Sequence, residues 1–209
     1  MKGISERTIE RLSLYRRILV QLASEHTETV CSHNLATLAR GTPAQVRRDL
    51  MAVGCSGRPS QGYDVAELTD GIGQFLDAPE AQAVALVGVG NLGRAILAYL
   101  ANRRPKLTIN AAFDNDPGKI GREIEGCGCR CFSIDQMPDI VRSRGIRVAI
   151  IAVPASVAQS VADQLVSAGI AALVNFAPVR LQTPEGVFAE DIDIGTALEK
   201  AAFFACIDK

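Results

Sequence analysis

"AVALVGVGNLGRAILAYL", residues 83–100, decides the fold. Its opening residues are apolar enough for a strand buried on both faces, and its closing residues carry apolar side chains at helical spacing. Between them Gly88, Gly90 and Gly93 stand in the order G-x-G-x-x-G, with Val89, Asn91 and Leu92 filling the loop. A strand, a glycine turn and a helix in that order form the phosphate-gripping entry to a dinucleotide site. Gly88 permits the tight turn, Gly90 lets backbone approach a pyrophosphate, and Gly93 lets helix and strand pack closely. The helix N-terminus offers unpaired N–H groups to the anion. Asp114 ends "NAAFD" twenty-one positions after Gly93, where an acidic residue reaches the adenosine ribose. There it would accept both ribose hydroxyls and repel a 2′-phosphate, favouring NAD(H) over NADP(H). The competing reading is a structural glycine turn with Asp114 as a plain helix cap.

Downstream the chain alternates strand and helix. Strands are predicted near 83–88, 107–113, 129–132, 147–153, 170–175 and 187–192, and helices near 91–103, 134–144 and 155–168. Strands as apolar as "VAIIAV" imply a parallel sheet covered on both faces, a Rossmann-like fold. No residue stands out to do chemistry on a bound cofactor. A nicotinamide dehydrogenase needs a proton donor beside the hydride acceptor. His26 and His33 both lie in the front part of the chain, and Tyr99 lacks a nearby Lys to lower its pKa. The expected role of the nucleotide is a signal, and no enzyme activity is predicted.

Upstream, residues 5–24 place Ile9, Leu12, Ile18, Leu19 and Leu22 at largely helical spacing. Ser32 is the predicted cap of a short helix carrying Leu35 and Leu38, and Gly41 supplies the turn after it. Thr42 and Pro43 open a third helix as N-cap and first helical residue, with Val46, Leu50 and Val53 buried and Gln45, Arg47 and Arg48 turned outward. Two short helices joined by a tight turn, the second exposing Gln and Arg early, predict a helix-turn-helix that reads DNA. A three-helix bundle with a charged face is the alternative. "GCSGRPSQGYDV", residues 54–65, reads as a β-hairpin wing tipped by Arg58. Residues 65–77 form a connecting helix, and the first domain closes near Pro79.

The chain has 209 residues, 48% of them apolar, and a net charge of −1 that hides a split. Residues 1–60 carry nine Lys/Arg against five Asp/Glu (+4), and residues 61–209 carry thirteen against eighteen (−5), which points to a polyanion partner for the front end. There is no run of about 18 apolar residues, so no membrane span is predicted. "MKGISERTIERL" lacks the apolar region of a secretory signal, so a cytoplasmic location and reduced cysteines are expected. "GCGCRCF", residues 126–132, has C-x-C-x-C spacing, not the C-x-x-C of structural zinc sites. On a strand these cysteines share one face, and the favoured reading is small apolar side chains against a core, with no metal.

Taken together, "RLSLYRRIL", "TPAQVRRDL", "GYDV", "VALVGVGNLGRAI", "AAFDNDPGKIG", "AIIAVPA", "GIAALVNFAPVRL" and "DIDI" resemble the Rex family of redox-sensing transcriptional repressors over essentially the whole chain. The resemblance implies a homodimer that binds double-stranded operator DNA when NADH is scarce and lets go when NADH binds, with NAD+ as a weaker competitor. It implies three parts: a winged-helix domain over 1–79, a Rossmann-like NAD(H)-binding domain over 80–192, and a C-terminal dimerisation helix over 193–209 swapped between partners. By similarity His33, Thr42, Gln45, Arg47, Arg48 and Arg58 face DNA. Gly88, Val89, Gly90, Asn91, Leu92, Gly93, Asp114, Tyr99, Pro154 and Phe176 hold the cofactor, Phe176 lining the nicotinamide pocket. Arg17, Tyr99 and Asp193 fall where the family couples cofactor to DNA grip, Arg17 pairing with Asp193. "GTALEKAAFFACI", residues 195–207, matches the swapped helix, and its apolar circumference agrees with burial somewhere. Two segments depart from the family: the recognition helix ends "LMAVG", and the wing carries Arg-Pro-Ser. The alternatives are a winged-helix regulator sensing an acyl-CoA and an NAD-dependent oxidoreductase with a regulatory head. Asp114 disfavours the 3′-phosphate of coenzyme A.

Overall fold

The structure, a computed structural model, describes residues 4–58, 61–100, 106–124 and 128–207. The chain divides into two compact units, Met1–Pro79 and Glu80–Lys209.

The first unit contains α1 (Glu6–Ser24), β1 (Thr29–Val30), α2 (Ser32–Leu38), α3 (Pro43–Ala52), β2 (Tyr63–Asp64) and α4 (Val65–Leu76). Its core gathers Leu12, Tyr15 and Leu19 of α1, Leu35 of α2, Val46 and Leu50 of α3, and Leu68 and Ile72 of α4. Local chemistry fixes the starts of three helices. The side chains of Ser5, Thr42 and Asp64 each accept a backbone N–H three residues on, from Thr8, Gln45 and Glu67.

Four expectations for this unit are corrected. Ser32 is the first residue of α2 and not its cap; Cys31 holds the cap position, and the Ser32 hydroxyl instead accepts a bond from Arg47 at 3.0 Å. The residue that makes the turn after α2 is Arg40, at φ +52°, and not Gly41. Arg40 N–H bonds to Thr37 O and Gly41 N–H to Ala36 O, closing the helix end with a left-handed residue between them. Val53, expected to be buried, is only half-buried. Among the described residues the wing is not a self-contained hairpin: β2 pairs antiparallel with β1, Val30 opposite Tyr63, and the wing loop carries a bridge between Arg58 and Gly62. Its Pro59 and Ser60 lie outside the described residues.

The second unit is a seven-stranded sheet built from β3 (Gln82–Val87), β4 (Leu107–Asp114), β5 (Glu123–Ile124), β6 (Cys129–Ser133), β7 (Val148–Ile151), β8 (Ala172–Asn175) and β9 (Phe188–Asp191). The order is β5-β6-β4-β3-β7-β8-β9, parallel throughout except for the short antiparallel edge strand β5, which the strand pattern of the sequence does not reveal. Helices α5 (Asn91–Leu100), α6 (Met137–Ser143) and α7 (Ala155–Ser167) connect the strands, and α8 (Ile194–Ile207) ends the described chain. Residues 101–103, expected to extend α5, lie outside the described residues.

Alternation along β3 sorts the core into two layers. Ala85 and Val87 face a cluster with Met137 and Val141 of α6 and Ala158, Val161, Ala162 and Leu165 of α7. Val84 and Leu86 face the opposite cluster, with Leu97 of α5. The helix expected over 134–144 begins as a 3-10 turn, Ile134–Gln136, under a Ser133–Gln136 capping box. Pro138 fits only a first helical turn, so the α-helix starts at Met137. Cys129 and Cys131 are buried on one face of β6, while Cys127 lies outside the described residues. Among the described residues no helix is long and apolar enough to cross a membrane, and no group of His, Cys, Asp or Glu is placed to hold a metal ion.

Candidate functional site

Chain order and sheet order reverse between β3 and β7. The parallel strands run outward from β3 through β4 to β6, and the chain then crosses to β7 on the other side of β3. Ligands of open parallel sheets bind outside the carboxyl ends of the strands at such a point. The Gly88–Gly93 loop leaves β3 there, and Ala152–Pro154 leave β7 beside it.

Steric demands on the three glycines differ. Gly88 has φ +96°, and a Cβ on it would overlap the carbonyl of Ala152, backbone against backbone. A Cβ on Gly93 would overlap the Gly88 carbonyl. Gly90, by contrast, has nothing within 4 Å of where a Cβ would lie. The loop is thus locked at both ends and bare in the middle, so a ligand can approach the backbone at Gly90. Gly90 O accepts the Arg94 N–H, so α5 starts directly beneath that opening. Asn91 and Leu92 are exposed on its first turn, and Val89 is buried.

Asp114, at the carboxyl end of β4, is 6% exposed. Its Oδ2 accepts the Val89 N–H at 2.8 Å and the Lys119 ammonium at 2.9 Å, and its Oδ1 accepts the Asp116 N–H at 2.9 Å. Burial pushes the carboxyl up, but the bonds from Lys119, Asp116 and Val89 outweigh it and hold Asp114 below the ordinary carboxylate range. Three of about four acceptor positions are therefore filled. The expectation that Asp114 accepts both ribose hydroxyls is revised to one remaining lone-pair position. Its other task, tying the glycine loop to β4, was not legible from spacing alone.

Across the switch point, Pro154 is exposed at the start of α7, and Phe176 is half-buried against the layer that includes Val89 and Leu97. Asn175, which sequence reasoning missed, is fully buried and sets the Phe176 loop. Its Nδ2 donates to Val179 O at 2.7 Å and Asp191 Oδ1 at 2.8 Å, and its Oδ1 accepts the Ala177 N–H. A buried polar residue between two apolar runs was the available signal. Tyr99 is exposed on α5. Asp193 is exposed and caps α8, accepting from Gly195 N–H, Thr196 N–H and the Thr196 hydroxyl. The Gly88–Gly93 loop, Asp114 and Phe176 lie at the carboxyl ends of β3, β4 and β8 around the switch point, and an open Gly90, a helix start beneath it and an apolar side chain at Phe176 fit a dinucleotide.

On the first unit, α3 presents Arg47 and Arg48 to solvent, with Thr42 exposed at its start and His33 exposed on α2. Arg48 has no protein partner among the described residues. Gln45 does not turn outward: it is half-buried and donates to Asp49 Oδ1 at 2.8 Å. Asp49 is the hub that holds α3 to α1. Its carboxylate is 2% exposed and accepts from Arg11 Nε at 2.6 Å, from the Arg11 terminal nitrogen at 2.8 Å and from Tyr15 Oη at 3.0 Å. Burial raises the Asp49 carboxyl, but Arg11, Gln45 and Tyr15 together hold it below the usual range. Arg58 in the wing pairs with Glu67 at 3.2 Å, both well exposed. Arg17 is exposed on α1, while its neighbour Arg16 pairs with Asp77 at 2.7 Å.

Comparison with known proteins agrees with this layout. Residues 3–50 match the family described as "Putative DNA-binding protein N-terminus", and residues 79–179 match that described as "CoA binding domain". The chain is 40% identical over 200 residues to the redox-sensing transcriptional repressor Rex of Roseiflexus sp. (strain RS-1), covering 96% of this chain and 90% of that one. The crystal structure of RSP in complex with beta-NAD+ and operator DNA matches with TM-score 0.89 at 28% identity, covering 100% of this chain and 95% of that one. RSP in complex with beta-NADH matches with TM-score 0.87 at 27% identity, covering 100% and 97%. With a helix-turn-helix head, a glycine cradle at the switch point of a Rossmann-like sheet, and these relatives along its whole length, the chain belongs to the Rex family of redox-sensing transcriptional repressors.

Proposed function

We propose that this chain works in the cytoplasm as a homodimeric repressor that holds double-stranded operator DNA when NADH is scarce and releases it when NADH binds. The observation that carries this reading is the Gly88–Gly93 loop, sterically locked yet open at Gly90, at the switch point of the sheet. NADH, when bound, supplies a neutral dihydronicotinamide ring whose contrast with the cationic NAD+ ring is the signal. The residues do not transform it. The Gly88–Gly93 backbone and the start of α5 hold the pyrophosphate, Asp114 takes one ribose hydroxyl, and Pro154 and Phe176 wall the nicotinamide end. An apolar wall at Phe176 favours the neutral ring, because burying the charged one costs desolvation.

The domain scheme follows the same reading: a winged-helix head over 1–79, the cofactor domain over 80–192 and a dimerisation helix over 193–209. On α8 the apolar side chains Ile194, Leu198, Phe203 and Phe204 are 58–67% exposed, and a second copy covers them by exchanging the helix. Arg17, Tyr99 and Asp193, all exposed, link cofactor to head, with Arg17 pairing with Asp193. The head contacts DNA through Arg47 and Arg48 of α3, with Thr42 and His33 around its start and Arg58 from the wing.

Replacing Arg48 by Ala weakens operator binding and lowers the steepness of its salt dependence by about 0.9 in log–log slope for each phosphate that Arg48 had neutralised. An unchanged slope would place Arg48 off the DNA. The whole reading is tested by fluorescence anisotropy of a labelled operator duplex. NADH is expected to release the protein where the same concentration of NAD+ leaves it bound, and equal release by both nucleotides would overturn the redox reading.

A further inference from the structure

The chain leaves the first unit through the end of α4, and that end is soft by composition. Gly71 and Gly73 stand in its last two turns, where glycine loosens a helix relative to alanine. Packing explains the first of them, because a Cβ on Gly71 would meet Cys55 Sγ at 2.7 Å. It does not explain the second. A Cβ on Gly73 would meet nothing closer than Asp77 Oδ2 at 3.8 Å, which is ordinary contact. Asp77 N–H makes the last bond of this helix, to Gly73 O at 2.8 Å, and its extended backbone turns the chain away. The unit ends at Pro79, and β3 begins at Gln82.

One ion pair holds this soft turn from outside. Arg16 of α1 donates through a terminal nitrogen to Asp77 Oδ1 at 2.7 Å, across sixty-one positions of sequence. The two side chains are 16% and 33% exposed, so the pair is not of the freely solvated kind that contributes little. Arg16 keeps its place at a cost, since its Nε is buried with no hydrogen-bond partner among the described residues. Filling space alone would not require a guanidinium there. The next residue on α1 is Arg17, exposed, which the proposed function pairs with Asp193. Successive positions of α1 thus grip the chain's exit from the head and face the proposed link to the cofactor.

We propose that Arg16 and Asp77 are positioning residues of the switch. Their pair stiffens the last turn of α4, so that a movement begun by NADH in the cofactor unit turns the head and is not lost in flexing at Gly73. This rests on the proposed function, in which NADH binding in one unit changes the grip of the other on DNA.

The test uses the full-length protein and a labelled operator duplex, whose anisotropy gives the operator Kd with and without saturating NADH. NADH affinity is measured separately by nicotinamide fluorescence. Arg16→Gln is expected to leave NADH affinity and NADH-free operator affinity close to wild type. The ratio of operator Kd with NADH to that without is expected to fall by roughly five- to tenfold. Asp77→Ala removes the more exposed partner and reads the same pair should Arg16→Gln not fold. Gly73→Ala added to either variant is expected to restore the ratio, because a stiffer helix replaces the ion pair. A merely structural pair would lower the melting temperature and leave the ratio alone. An unchanged ratio, or a lowered one that Gly73→Ala does not restore, would overturn this inference and leave the proposed function standing. A wild-type protein whose operator Kd ignores NADH would overturn both.

Discussion

Gly88→Ala is expected to abolish the nucleotide response. The new Cβ would lie on top of the Ala152 carbonyl, and both partners are backbone. No side-chain rotation relieves such an overlap, so β3 and β7 must separate at the point where the ligand binds. At φ +96° the alanine is also in a conformation that L-residues rarely adopt. Overpacking costs about 1–3 kcal/mol and the backbone strain about 1–2 kcal/mol more. A cost of about 3 kcal/mol confined to the binding-competent loop weakens NADH by roughly 100-fold. NADH titration by fluorescence checks it. Gly90→Ala separates ligand approach from folding: its methyl enters open space, so the melting temperature holds while NADH affinity falls. Near-native NADH affinity in Gly88→Ala would remove the cradle from the account.

Asp49→Ala is expected to disable the head. It leaves the Arg11 guanidinium, the buried Tyr15 hydroxyl and the Gln45 amide without their common acceptor. Breaking a buried ion pair by removing one partner costs about 3–5 kcal/mol. The lower end applies here, because Arg11 keeps some access to water. Hydrogen exchange of the full-length protein should show α1 and α3 amides losing protection while those of β3 and β4 keep it, with operator binding abolished at ordinary protein concentrations. The network also fixes the direction of the pH response. The folded Asp49 carboxyl titrates below its unfolded value of about 3.9. Its contribution is therefore present above that pH and is lost as pH falls through the folded pKa. Tyr15 is pushed up to about 12, by burial first and by its bond to Asp49 second. Its contribution is present below the unfolded pKa of about 10 and is lost as pH rises from there towards 12. Protection of α1 should accordingly be broad across neutral pH and fall at both extremes. Full protection of α1 and α3 in Asp49→Ala would contradict the hub.

What the sequence revealed, and what it hid, divides by range. The glycine loop, the Thr42 cap and the strand–helix alternation were legible because each depends on residues within a turn or two of one another. Several of the misplaced features answer to distant partners. Ser32 has the composition of a cap, but its hydroxyl is taken by Arg47, fifteen residues on. Gln45 sits on the outward side of a helical wheel, yet the acceptor at Asp49 draws it in. Tyr63 and Asp64 looked like the returning leg of a hairpin and instead pair with Thr29 and Val30. Asp114 was found by spacing, but its bonds to Lys119 and to the glycine loop depend on packing that spacing does not encode. Glycine was expected at the turn after α2 because Gly41 marked the spot, but its neighbour Arg40 takes the left-handed conformation.

In the proposed switch, filling the cradle repositions two reading helices. The most direct measurement is the distance between them in the proposed homodimer. A spin-labelled residue introduced at Met51, exposed near the end of α3, would be read by pulsed electron resonance with and without nucleotide. Without NADH the distance distribution should be compatible with helices about 34–36 Å apart, one duplex turn. Saturating NADH should move it away from that value, and NAD+ should not. A distribution that stays the same when NADH is bound would contradict the account.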